Sequence, residues 1–226
     1  MANVGCRIYT KINRPDKSLL EGFRGLPVAN IDDCMGRIAC CNSSLKPMNH
    51  SPLLGTAFTV HCPEGDNLMF HKALGLAQPG DVLVIAAGGS MHRALCGEIM
   101  SHTAMKAGLN GFVIDGCIRD IDEISTFENF PVYAKGVTPN GPYKNGPGEI
   151  NVPVSVCGQV ICPGDILVGD QDGLLVIKPE EAAELAAKAK AVFDMETQQK
   201  ADIESGKGLS KPWLDAKLKE LNCEIF

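Results

Sequence analysis

A mixed α/β fold is predicted for this chain by three observations. Residues 82–87 are a short apolar run of the kind that fills a strand buried on both faces, and 112–115 reads as a second buried strand. Between them a helical pattern runs from about residue 97 to Ala107, and Gly108 stops it. The succession occupies roughly 35 residues, the length of a strand–helix–strand crossover in a partly parallel sheet.

The other elements follow in order. Helical patches are expected at residues 17–23 and 31–39, a strand at 56–61 and a helix at 67–77. Gln78-Pro79-Gly80-Asp81 makes a turn into the first buried strand, and Gly88-Gly89 breaks that strand. Gly116 closes the second. Residues 136–148 are rich in Gly and Pro without periodicity and read as an ordered loop. Strands at 152–156, 166–168 and 174–177 come next. Pro163-Gly164-Asp165-Ile166-Leu167-Val168 nearly repeats Pro79-Gly80-Asp81-Val82-Leu83-Val84, so a Pro-Gly turn feeding an apolar strand is used twice. Pro179 opens a long helix, with Glu180 and Glu181 in a first turn where the helix dipole favours acids. No linker divides the sequence, and a single domain over residues 1–226 is expected.

At 45% hydrophobic residues the chain can build a full core without disulfides or a structural metal. The formal charge is −6, from 21 basic and 27 acidic residues with no basic cluster, which argues against a nucleic-acid partner. No apolar run approaches the roughly 20 residues of a membrane span, and the start lacks the apolar stretch of a secretory signal. A cytoplasmic location is therefore expected, with no membrane partner. The ten cysteines contain no CxxC and the five histidines no HxxxH, so a zinc site is not indicated. Reduced, mostly buried packing cysteines are expected instead.

Three places could carry chemistry. Gly97-Glu98-Ile99-Met100 starts a helix behind the glycine-rich turn 88–90, where unpaired N–H groups and partial positive charge suit a carboxylate or phosphate. Gly97 suits an N-cap and lets a ligand approach the backbone. Asp115-Gly116-Cys117-Ile118-Arg119-Asp120 lies past a buried strand, where α/β sheets gather ligand sites. There Asp120 can ligate a hard cation while Arg119 holds an anionic oxygen. On the C-terminal helix, Ala182, Leu185, Ala189, Val192 and Phe193 form an apolar stripe that Glu196 continues, and acids are seldom buried without a partner or metal. Each segment alone reads equally as an ordinary helix start, a salt-bridged turn, or a helix that has left the core. Cys96 is a further idea, since a helix N-terminus lowers a thiol pKa, but no histidine partner is evident.

Glu98, then twenty residues, Arg119-Asp120, then two residues and Glu123, resembles the acidic-x20-Arg-Asp-x2-acidic signature of class II pyruvate aldolases. This is the 4-hydroxy-4-methyl-2-oxoglutarate aldolase and oxaloacetate decarboxylase group, whose relatives include the regulator of ribonuclease E activity. The likeness extends through Ile31-Asp32-Asp33-Cys34-Met35-Gly36, the loop from Gly136 to Ile150, and Gly169-Asp170-Gln171-Asp172-Gly173.

The resemblance implies a layered α/β sandwich with mixed sheets, similar to the swivelling phosphohistidine-domain fold, assembled as homotrimers or hexamers. It implies Mg2+ or Mn2+ on Asp120, Arg119 on the 2-oxo group of a small 2-oxo acid, and its carboxylate on the backbone of Gly97, Glu98, Ile99 and Met100. Glu98 would order water on the cation, and Glu196, on a helix spanning 179–206, would complete the site of a neighbouring subunit. The implied reaction is C–C bond cleavage to pyruvate, by retro-aldol or decarboxylation. The alternative is a non-catalytic binding protein like the ribonuclease regulator, a branch that lacks the aspartate after the arginine. A phosphohistidine carrier would need a histidine on a tight loop, and nothing around His92 or His102 supplies one.

Overall fold

The apolar runs of the sequence become the centre of one mixed sheet. A computed structural model describes residues 3–208 and 211–226. Its elements are β1 (Cys6–Ile8), α1 (Lys17–Glu21), α2 (Val28–Cys34), β2 (Lys46–Pro47), β3 (Leu53–His61), α3 (Leu68–Leu74), β4 (Asp81–Ala86), α4 (Glu98–Lys106), β5 (Gly111–Ile118) and α5 (Ile121–Ile124). They continue with β6 (Val132–Val137), β7 (Gly148–Ile150), β8 (Val154–Val156), β9 (Gln159–Ile161), β10 (Ile166–Gly169), β11 (Leu174–Ile177), α6 (Ala182–Glu204) and α7 (Pro212–Glu220).

The sheet order is β1-β7-β3-β4-β5-β6-β2, with β10 also paired to β3 and β11 to β10. Strands β3, β4, β5 and β6 run parallel, joined through α3, α4 and α5. β7, β10 and β2 pair antiparallel, while β8 and β9 form a separate hairpin. The predicted α/β class and mixed sheet are thus observed.

Every residue of β4 and β5 is buried, because both faces of these strands meet apolar side chains. Alternation sorts them. Phe58, Val60, Leu83, Ile85, Phe112 and Ile114 share one core with α3 and α4. Ala57, Val82, Val84 and Val113 share another with Tyr133, Leu167 and Val176. In the first, Phe112 stands edge-on to both Phe70 and Phe130 at centroid distances of 5.0 Å.

The two Pro-Gly-Asp turns share a physical device. Asp81 is fully buried and accepts the Gln78 N–H (2.8 Å) and both arms of Arg14 (2.8 and 2.7 Å). Asp165, 3% exposed, accepts the Cys162 N–H (2.7 Å) and pairs with Lys178 (2.6 Å). Each carboxylate closes its own turn and is neutralised by one cation, as burial requires.

Several expectations need correction. The helix expected at 31–39 is α2, shifted toward the N-terminus. It stops because Gly36 and Arg37 take φ of 72° and 63°, outside any α-helix. Pro179 does not open the long helix. The N–H groups of Glu181 and Ala182 reach only three residues back, to Lys178 and Pro179, so this turn is tighter than α and the helix begins at Ala182. Glu180 and Glu181 precede it.

The chain divides into two compact units, Met1–Ala189 and Lys190–Phe226. Within α6 the apolar stripe is buried at Ala182, Leu185 and Ala189, but Val192, Phe193 and Glu196 are only partly covered. Glu196 therefore lies on the stripe without being enclosed. Among the described residues no helix is long and apolar enough to cross a membrane. All ten cysteines are free; Cys41, Cys62, Cys96 and Cys117 are buried, while Cys6 and Cys223 are exposed.

Candidate active site

The chain returns to the carboxyl end of β5 just before α4 begins. The Leu95 N–H donates to the Cys117 carbonyl (2.8 Å), and the Arg119 N–H donates to the Cys96 carbonyl (3.0 Å). These bonds set the start of α4 beside Arg119 and Asp120, at a strand end where parallel sheets present ligands. Asp120 takes φ 60° and ψ 41°, a left-handed conformation costly for most residues but open to aspartate. This turns its carboxylate onto the helix start. The Glu98 N–H donates to Asp120 Oδ2 at 3.1 Å, and Arg119 Nε stands 3.6 Å from the same oxygen.

Gly97 makes this approach possible. A Cβ there would lie 2.0 Å from Asp120 Oδ2 and 3.0 Å from both Asp120 Cγ and Arg119 Cγ. The Glu98 N–H is taken by Asp120 and the Ser101 N–H by the Gly97 carbonyl (3.2 Å). The N–H groups of Ile99 and Met100 are the remaining first-turn donors, unused by the backbone, and they suit a carboxylate.

A cavity of about 190 Å3 opens here, with Asn67, His71, Gly97, Arg119, Asp120 and Lys144 in its lining. Asn67 is 2% exposed, and its Nδ2 donates to the Leu95 carbonyl (2.8 Å). Burial, with the Lys144 charge next in size, holds the His71 pKa below its ordinary value. The structure thus brings the Glu98 N–H, Arg119 and Asp120 together, while the Glu98 side chain lies outside the cavity lining, and puts Asn67, His71 and Lys144 in the same cavity. The sequence signal for these is faint, since Lys144 sits in an aperiodic loop.

The Glu98 side chain faces Glu123, which is paired with His102 Nε2. The hydrogen bond with the Glu123 carboxyl raises the Glu98 pKa, while the His102 hydrogen bond lowers that of Glu123. His102 was legible in principle, for it stands four residues after Glu98 and so shares its helix face. A carboxyl with raised proton affinity is a candidate for proton transfer. If Glu98 works as a base, kcat/KM must fall as pH drops through its raised pKa. Glu123→Gln replaces the carboxyl whose hydrogen bond, and then whose charge, raises it, so the acid limb of the profile is expected to move to lower pH. An unmoved limb would assign it to another group.

Two candidates fare differently. Cys96 is fully enclosed, and burial pushes its thiol pKa up rather than down, which removes it as a nucleophile. Glu196 belongs to the second unit, partly exposed on α6. Among the described residues no group of three or more His, Cys, Asp and Glu side chains is placed to hold a metal ion. Asp120 fits the other kind of site. Its Oδ2 is oriented by the Glu98 N–H, and its carboxylate, 35% exposed, is accessible to a hard cation that keeps most of its shell as water and substrate oxygens.

The geometry describes an α/β protein with a small cavity at the carboxyl ends of parallel strands, lined among others by Asp120, Arg119, Lys144 and His71. A family model described as RraA-like, Aldolase/RraA, matches residues 28–176, and the chain belongs to this family. It is 41% identical over 180 residues to a Halalkalibacterium halodurans protein named "Putative 4-hydroxy-4-methyl-2-oxoglutarate aldolase", covering 79% of this chain and 85% of that one. Among solved structures, an uncharacterised protein of Pseudomonas syringae is similar at a TM-score of 0.77 and 27% identity, over 87% of this chain and 92% of its own. The RNA-processing inhibitor RraA from Thermus thermophilis is similar at 0.61 and 29%, over 67% and 92%.

Proposed function

We propose that this protein is a divalent-metal-dependent lyase that cleaves 4-hydroxy-4-methyl-2-oxoglutarate-type 2-oxo acids to pyruvate and decarboxylates oxaloacetate at the same site. The observation that carries this reading is Asp120, held in a left-handed backbone by the Glu98 N–H beside Arg119 and a helix N-terminus. Mg2+ or Mn2+ held by Asp120 would supply a Lewis acid for negative charge developing on the pyruvate half.

The chain's own groups have separable tasks. The N–H groups of Ile99 and Met100 receive the C1 carboxylate. Arg119 donates to the C2 oxygen and stabilises it as the C3–C4 bond breaks and the electron pair moves into the enolate. In the aldol case Glu98 accepts the proton lost from the C4 hydroxyl, and the C4 carbonyl product departs. In decarboxylation the C4 carboxylate leaves as carbon dioxide and the same enolate forms. Protonation at C3 then gives pyruvate. Both substrates carry a second carboxylate, and Lys144 and His71 line the cavity that would receive it. Glu196 of a second copy completes the site, in a homotrimer or hexamer.

The RraA neighbours support a second reading, a non-catalytic inhibitor of RNA processing. Incubation with 4-hydroxy-4-methyl-2-oxoglutarate and Mg2+ separates the two. The lyase reading expects two pyruvates per substrate consumed, with oxalate, which mimics the planar enolate, as a competitive inhibitor. No pyruvate from either this substrate or oxaloacetate would favour the inhibitor reading.

A further inference from the structure

One side of the cavity is formed by residues 139–147, which run without regular structure between β6 and β7 and contribute Pro142 and Lys144 to the lining. Two side chains outside that lining hold the segment down. Asp66, 3% exposed, accepts the N–H groups of Asn145 and Gly146 on one oxygen and that of Leu68, in α3, on the other (2.9 Å). Beside it, the Tyr143 N–H donates to the Gly65 carbonyl (2.8 Å), and the Asn67 N–H to the Tyr143 carbonyl (3.0 Å). Arg93 makes the second attachment. It donates to the Gly141 carbonyl and to Tyr143 Oη, each at 2.7 Å, with its guanidinium 3.9 Å from the Tyr143 ring centroid.

We infer that Asp66 and Arg93 are positioning residues that pin residues 139–147 against the cavity, so that Lys144 meets the end of the substrate farthest from Asp120. Neither side chain lines the cavity, yet each adjoins a residue that does, Asn67 and Ala94. Asp66 places three backbone N–H groups on one buried carboxylate, and such charge-assisted bonds are stronger than neutral ones. Without them the segment regains conformational freedom. Apparent affinity then falls by the fraction of molecules still arranged to bind. The kinetic part of the inference rests on the lyase reading; the structural part does not.

The test uses Asp66→Asn, which sets an amide where two N–H groups need an acceptor, and Arg93→Gln, which removes the fork. For each, KM for oxaloacetate is expected to rise about tenfold with kcat within about twofold, the pattern of lost binding rather than lost chemistry. Oxalate, with two carbons, does not extend to Lys144 and should inhibit as in the parent. Trypsin should cut after Lys144 at least about tenfold faster, since cleavage follows the opened population. In a Lys144→Met background, Asp66→Asn should add little further to KM, as for coupled residues. Unchanged KM and cleavage would overturn the inference, as would a matching loss of oxalate binding, which would place the effect at Asp120. If the parent releases no pyruvate, the lyase reading falls while trypsin still decides the pinning. Should Asp66→Asn not fold, Arg93→Gln, on a half-exposed side chain, decides alone.

Discussion

Gly97→Ala is expected to lower kcat/KM for pyruvate release by about a hundredfold or more, with a melting temperature close to that of the parent. The backbone at Gly97 has φ −150° and ψ −161°, extended values open to alanine, so the substitution carries no backbone penalty. Its effect falls on the site. The new methyl would lie 2.0 Å from Asp120 Oδ2, well inside contact distance, and 3.0 Å from Arg119 Cγ. Both side chains are partly exposed and can swing away, which spares the fold while dismantling the arrangement of carboxylate, arginine and helix start. Measuring kcat/KM together with thermal unfolding checks this. Activity within threefold of the parent, in a protein melting normally, would mean that the carboxylate position seen here is not the working one.

The second large effect concerns Asp120 and Glu196. Asp120→Asn and Glu196→Ala are each expected to be nearly inactive. Asn is the right replacement at 120 because it tolerates the left-handed backbone that alanine would resist. If Glu196 serves the site of a neighbouring copy, equal parts of the two variants, refolded together, should recover about a quarter of the parent rate, the share of sites that random pairing leaves with both groups. No recovery in oligomers shown by mass spectrometry to be mixed would mean that Glu196 acts within its own chain. A fully active Glu196→Ala would remove it from the reaction.

The strands that build the site were legible because burial on both faces leaves a mark in sequence. β4 is a continuous apolar run after Pro79-Gly80-Asp81, and β5 begins with one at Phe112–Ile114 but runs on through Asp115 and Gly116 to Ile118, so Gly116 does not close it. Very short strands leave none: β1, β7 and β9 have three residues each and β2 two, too few for a period to show. β6 was missed because Lys135 and Gly136 interrupt its apolar run. The spacing of Glu98, Arg119 and Asp120 was readable since one crossover helix joins them. What brings Asn67, His71 and Lys144 to the same cavity is tertiary closure, through Asp66 and Arg93, and no local pattern announces it. The left-handed turn at Asp120 was equally silent, because aspartate adopts ordinary conformations almost everywhere else. Glu196 continues the helical periodicity of the stripe, but the enclosed part of that stripe ends at Ala189.

In the proposed mechanism Asp120 and a divalent cation together carry the chemistry. Its most direct test is pyruvate release from oxaloacetate by the parent protein, treated with EDTA and then titrated with Mg2+, beside Asp120→Asn under the same conditions. Rates at the spontaneous background are expected after EDTA. Mg2+ should restore the parent at the modest affinity of a cation held largely by water, and should restore nothing in Asp120→Asn at any Mg2+ concentration that saturates the parent. Full activity after EDTA, or an Asp120→Asn protein that responds to Mg2+ as the parent does, would contradict it.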